Sequence, residues 1–221
     1  MCRYENTKNT KNTKKNKIPW DYNNPLNMNM DKLWNKAVLD SEIIQEIESA
    51  KHRDPGFNIN QPDMYGLTLL LRAVQYDRKE LVEYILADPD INVNYGDIHY
   101  RLYPINTGLR MATYDWISIS ILKLFLCHKD IDVNKQKDNE WTVLHEACFK
   151  NNKKYVRELL LDARIDVLIY DCQGRTAQNT VRRDGHGIAN MLKRVLRTSL
   201  LRIPNASLCR DIIRMIIEEY I

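Results

Sequence analysis

Along most of the chain, apolar positions recur at helical spacing between short polar stretches. Leu81, Val82, Ile85 and Leu86 fall on one helical face, as do Ile121, Leu122, Phe125 and Leu126, then Val156, Leu159 and Leu160. The pattern is copied along the chain. Thr68-Leu69-Leu70-Leu71-Arg72-Ala73, Thr107-Gly108-Leu109-Arg110-Met111-Ala112 and Thr142-Val143-Leu144-His145-Glu146-Ala147 align with a looser Thr176-Ala177-Gln178-Asn179-Thr180-Val181, at threonine spacings of 39, 35 and 34. Each is preceded by a matching pair, Ile59-Asn60, Val93-Asn94, Val133-Asn134 and Val167-Leu168, spaced by 34, 40 and 34. A period of this length predicts one helix pair per copy. No single pair can bury its own apolar face, so neighbours must stack into a continuous core.

The copies resemble ankyrin repeats, whose consensus runs roughly D-x-x-G-x-T-P-L-H-x-A-A and closes on D-V-N. The nearest matches are Trp141-Thr142-Val143-Leu144-His145-Glu146-Ala147-Cys148, Asp63-Met64-Tyr65-Gly66-Leu67-Thr68 and Asp171-Cys172-Gln173-Gly174-Arg175-Thr176. The resemblance implies an all-α solenoid of stacked helix pairs with β-hairpin fingers, about five repeats over residues 31–197. A degenerate first copy is expected from Asp31 to Asn60, with Trp34, Ala37 and Val38 in its first helix. It also implies a module that binds a partner protein through the fingers and the concave face of the first helices, without a cofactor or a reaction. On those positions stand Gln75, Tyr76, Tyr114, Phe149 and Lys150 on the helices, and Tyr65, Trp141 and Arg175 on the fingers.

One finger departs from the pattern. Three junctions between the closing pair and the next threonine span eight residues, whereas Asn94 to Thr107 spans thirteen and carries Tyr95, His99, Tyr100, Arg101 and Tyr103. Aromatic and arginine side chains are enriched at binding hot spots, although surface loops also accept insertions without purpose. Trp141 and Phe149 form an expected anchor pair if exposed; the alternative is that they are tucked against a neighbouring repeat.

Composition narrows the chemistry. Only seven glycines occur among 221 residues, and the nearest thing to a phosphate-binding loop is Gly185-His186-Gly187. A glycine-built nucleotide site is therefore not expected. Gly66, Gly174 and Gly185 stand at repeat turns, while Asp77 and Asn151 replace glycine where the first helix ends, both tolerant of a left-handed backbone. Trp116, Ile105 and Glu140 are harsher replacements.

The net charge of +4 is uneven, with residues 1–17 summing to +5, 18–181 to −5 and 182–221 to +4. Positive charge at the ends argues against nucleic acid as the partner. Residues 1–30, with Asn-Thr-Lys repeated in succession, read as a disordered basic tail. Five scattered cysteines and the lack of a leader or a long apolar run predict a reduced, soluble protein of the cytoplasm or nucleus.

Three candidate centres carry no support. His145 and Cys148 form an H-x-x-C pair without a second pair to complete four zinc ligands. Cys127-His128 lacks a third orienting group. Asp88, Asp90, Asp130 and Asp132 lack the order of a calcium loop.

Beyond Arg197 the repeat is lost, and residues 198–221 are expected to form a helical cap or box. A helix from Pro204 to Tyr220 would place Leu208, Ile212, Ile213, Ile216 and Ile217 over half its circumference. Leu208-Cys209-Arg210-Asp211-Ile212-Ile213-Arg214 is similar to the opening of a SOCS box, which would recruit elongin B and C, although Asn205 replaces the family's leucine and no L-P-x-P follows. The segment also resembles the F-box-like end of poxvirus ankyrin proteins, which would recruit Skp1. Either resemblance implies a substrate adaptor for a cullin ubiquitin ligase of viral or pathogen origin, acting in the host cytoplasm. A plain cap over the last repeat is the alternative.

Overall fold

The computed structural model describes residues 37–63, 66–96, 107–136, 139–182 and 185–201. Its helices are α1 (Asp40–Arg53), α2 (Leu69–Gln75), α3 (Lys79–Leu86), α4 (Gly108–Met111), α5 (Ile119–Cys127), α6 (Val143–Phe149), α7 (Lys153–Leu161), α8 (Ala177–Thr180) and α9 (His186–Leu201). They pack as two rows. The short helices α2, α4, α6 and α8 stack on one another as an inner row; α1, α3, α5, α7 and α9 stack as an outer row; α2–α3, α4–α5, α6–α7 and α8–α9 form the rungs. The core lies between the rows. Leu81, Val82, Ile85, Ile121, Leu122, Phe125, Val156 and Leu159 are buried, while Leu126 and Leu160 are half-buried at its edge.

The recurrent threonine starts each inner helix. Thr68, Thr107 and Thr142 have extended backbones, and their hydroxyls accept from the amides of Leu71, Arg110 and His145, which no helical carbonyl can reach. Thr176 departs from this: its hydroxyl donates to Asn179 Oδ1 (2.9 Å), which also accepts the Thr176 amide (3.1 Å). The first copy differs from its expectation. Ala37 and Val38 lie in a turn and bend before α1, and Trp34 falls outside the described residues. The helix that follows presents Ile43, Ile47 and Ala50 to the core, with Asp40 and Glu42 in its first turn and Lys51, His52 and Arg53 in its last, each sign matched to the helix dipole.

The recurrent asparagine clasps consecutive copies. The Asn60 amide donates to the Asp90 carbonyl (2.7 Å) while its oxygen accepts from the Asn92 amide (2.7 Å). Asn94 does the same to Asp130 and Asp132 (2.7 and 2.8 Å), and Asn134 to Arg164 and Asp166 (2.7 and 2.9 Å). Leu168 cannot, and it stands 48% exposed where a fourth clasp would begin. Asp88 and Asp132 are turn-formers in the same loops, accepting from the amides two residues on.

At the far ends of the inner helices, Asp77 Oδ1 accepts the Ser118 amide (2.7 Å) and Asn152 donates to Asp115 (2.7 Å). Asp77 and Asn151 are left-handed, with φ of 55° and 56°, and so is the harsher Glu140, with φ of 59°. Two glycines answer to close contact instead. A Cβ on Gly108 would stand 2.4 Å from Phe125 Cζ, and one on Gly185 would stand 2.3 Å from Val181 Cγ1. Four-residue α4 can therefore lie directly on the buried Phe125 ring.

Among the described residues the fingers are closed by a few hydrogen bonds. Asp63 and Asp171 donate their amides to the carbonyls of Leu67 and Arg175 (both 2.9 Å), and Gly96 bridges Thr107 antiparallel at the foot of the enlarged finger.

Candidate partner-binding surface

The most connected part of the inner row is α6 and its two neighbours. Trp141, just before the Thr142 cap, reaches along the helix so that its ring centre lies 5.2 Å from that of Phe149. Its indole Nε1 donates to Asp171 Oδ2 of the next finger (3.1 Å). Asp171 is a hub. Its side chain is fully buried and also accepts from the Arg175 guanidinium (2.8 and 2.9 Å) and from the amides of Gln173 and Arg175 (both 2.9 Å). Burial alone would raise the Asp171 carboxyl, but these donors outweigh it and hold the pKa at about 2.

His145 sits one turn beyond Trp141. Its Nδ1 accepts from the Thr142 amide (3.3 Å), and its Nε2 is 3.2 Å from the Arg175 carbonyl. That pairing fits a neutral ring protonated on Nε2, and burial pushes its pKa below the ordinary imidazole value. Both nitrogens serve backbone groups, so the ring has no lone pair to offer a metal. Cys148 is buried with its thiol pushed up to about 12, far from a thiolate at neutral pH. The H-x-x-C pair is thus part of the repeat's framework.

On the other flank, Glu146 joins two repeats. It binds Arg110 of α4 (2.7 Å) and Lys150 one turn along (3.1 Å). Burial would raise the Glu146 carboxyl; Arg110 and Lys150 hold it below its ordinary value. The Lys150 amine also lies 3.5 Å from the centre of the Tyr114 ring, a cation–π contact. Trp116, 67% exposed at the turn between α4 and α5, leans on the other side of this group, its ring centre 4.7 Å from that of Tyr114. Phe149 is 42% exposed, between Trp141 and the Arg182 guanidinium, which stands 5.1 Å from its ring.

Two exposed aromatic groups therefore stand on adjacent copies, Phe149 at the end of α6 and Trp116 on the turn after α4, each beside charged or aromatic neighbours. Trp141 and Arg175 meet at one buried carboxylate, with Phe149 against Trp141, while Tyr114 and Lys150 share a second cluster. Gln75 and Tyr76 are half-buried at the end of α2, where Gln75 Oε1 accepts from Arg72 (3.1 Å), itself paired with Asp63 (2.6 Å). Tyr95 is half-buried and packed on the core. Tyr65, Tyr100, Arg101, Tyr103, and Leu208, Cys209, Ile212, Ile213, Ile216 and Ile217 lie outside the described residues. Trp116 was legible only as an aromatic residue at a glycine position, and its place beside Tyr114 had no sequence signal beyond that.

The helix rows, threonine caps and His145 bridge meet a family pattern over the same segment: the family "Ankyrin repeats (3 copies)" matches residues 109–194. Residues 109–194 are ankyrin repeats. The described residues before them continue the same rows, and the fold is an all-α ankyrin solenoid. No curated protein matches the chain. Ankyrin repeats are interaction modules, so a protein partner is the class of ligand they imply. No helix among the described residues is long and apolar enough to cross a membrane.

Proposed function

We propose that this chain binds a partner protein through the inner face and fingers of an ankyrin array that runs over residues 31–197, about five repeats. The contact is centred on Phe149 and Trp116, with Tyr114, Lys150, Trp141 and Arg175 shaping the ground between them. The observation that carries this reading is the exposure of Phe149 between Trp141 and Arg182, a large apolar ring held rigidly at the surface. A fixed aromatic loses little conformational freedom on binding and buries a large area, which is how hot spots reach high energy per residue. No catalytic step is part of the reading. Affinity capture from the native cell tests it. Trp116→Ala with Phe149→Ala should lose the captured protein while the melting temperature stays close to that of the unaltered chain, and retention of the partner would overturn the reading.

The same capture tests residues 203–221, whose ligase-box reading rests on sequence alone. Loss of elongin C or Skp1 on deleting that segment, with the repeats still folded, would assign it to a cullin ligase. Recovery of neither from the full chain would leave it a cap.

A further inference from the structure

The outer row divides its charge sharply along the array. By sequence, α1 and α3 carry six carboxylates against three Lys or Arg, whereas α7 and α9 carry six Lys or Arg against the single carboxylate of Glu158. Glu158 is already bound to Lys123 of α5 (3.4 Å). Lys153, Lys154 and Arg157 on α7 and Arg194 on α9 are exposed and, among the described residues, have no ion-pair or hydrogen-bond partner. Surface helices normally interleave carboxylates with such cations at a spacing of three or four residues. For Lys153, Lys154, Arg157 and Arg194 that neutralisation is missing among the described residues.

The packing adds to the imbalance rather than relieving it. The Lys153 side chain lies over the start of α9, with its Nζ 3.2 Å from where a Cβ on Gly187 would stand. The N-terminal end of a helix carries partial positive charge, so the fold holds this ammonium against a repelling pole. Leu161, 74% exposed at the end of α7, supplies an apolar neighbour to the row.

We propose that the outer face of α7 and α9 docks an acidic segment of a protein, on a surface separate from the aromatic inner face and independent of it. A bilayer or a nucleic-acid strand fits less well. A bilayer laid along the outer row would also meet the acidic faces of α1 and α3, which it would repel. A single nucleic-acid strand would want aromatic platforms for its bases, and Leu161 is the one large exposed hydrophobic side chain described on α7 and α9. A short carboxylate-rich segment meets the cations of two helices and stops before the acidic half.

The test uses the full chain and a short fluorescein-labelled oligoglutamate peptide, read by anisotropy. The peptide should bind at low salt, and K153Q/K154Q/R157Q should weaken it about tenfold with an unchanged melting curve. Arg194→Gln alone should weaken it by a smaller factor. Neutralising Lys8, Lys11, Lys14, Lys15 and Lys17 of the N-terminal segment should leave binding at about 0.15 M salt within about twofold of the unaltered chain, and a larger loss would overturn the proposal. No binding at low salt would overturn the proposal. So would equal binding by the triple variant, or tighter binding of phosphatidylserine vesicles or duplex DNA than of the peptide.

Discussion

The inner face around α6 and the outer face of α7 and α9 are built on opposite electrostatic plans. On the inner face the carboxylates of Glu146 and Asp171 are paired within the fold: Glu146 lies between Arg110 and Lys150, and Asp171 takes Arg175 and Trp141. What remains at the surface there is aromatic. On the outer face of α7 the cations remain, and among the described residues no carboxylate answers Lys153, Lys154 or Arg157. A face with its charges paired internally offers a partner shape and apolar area. A face with unpaired charge offers attraction over a screening length of about 10 Å, with little demand on shape. One chain can thus hold a partner by two different kinds of contact.

The largest expected effect that would break this comparison is at the inner hub. Asp171→Ala removes a buried acceptor of five donors and should cost about 2–4 kcal/mol in urea unfolding, because Trp141 and two amides lose their partner. A cost below about 0.5 kcal/mol would mean that the charges of the inner face are not structurally committed.

A smaller effect comes with acid. The unfolded chain takes up a proton on His145 near the ordinary imidazole value of 6.5, while the buried ring in the folded chain does so at lower pH. Between the two the unfolded state binds more protons, so stability falls as pH drops below 6.5 and levels off beneath the lowered folded value. A second loss follows as pH falls from 3.8 through about 2, where Asp171 is protonated only with difficulty in the folded state. Urea midpoints against pH, with His145→Gln beside the unaltered chain, would show the first decline removed; an unchanged decline would place its origin elsewhere.

The smallest effect belongs to the outer face. K153Q/K154Q/R157Q should shift stability by less than about 0.5 kcal/mol in either direction, since no described partner is lost. A clear destabilisation by chemical denaturation would show these cations to be part of the fold.

Local devices were legible in the sequence because they repeat. The threonines cap the inner helices, Asn60, Asn94 and Asn134 clasp the next copy, and Asp77 and Asn151 turn left-handed where glycine is usual. The period locates such residues even when each copy is worn. Contacts between copies were not legible in the same way. Arg110 and Glu146 are 36 residues apart, and nothing in either copy names the other as its partner. The repeat pattern gives no reason for Gly108, which becomes clear only with the Phe125 ring lying against it. The expected pairing of Trp141 with Phe149 was legible because both fall in one copy of the repeat. The asymmetry between them was not, for Trp141 is held by a carboxylate from the following finger.

The charge map shows the same limit. Totals over long segments placed the positive charge at the ends of the chain, and only the packing of α7 beside α9 collects Lys153, Lys154, Arg157 and Arg194 onto one outer face.

The most direct measurement compares affinity capture by the full chain with capture by Trp116→Ala/Phe149→Ala, alongside the melting temperature of each. One protein should be lost from the variant's capture while the melting temperatures agree within a few degrees, as expected for a change below about 1 kcal/mol. A variant that keeps the partner, or that loses it only by unfolding, would contradict the inner-face contact.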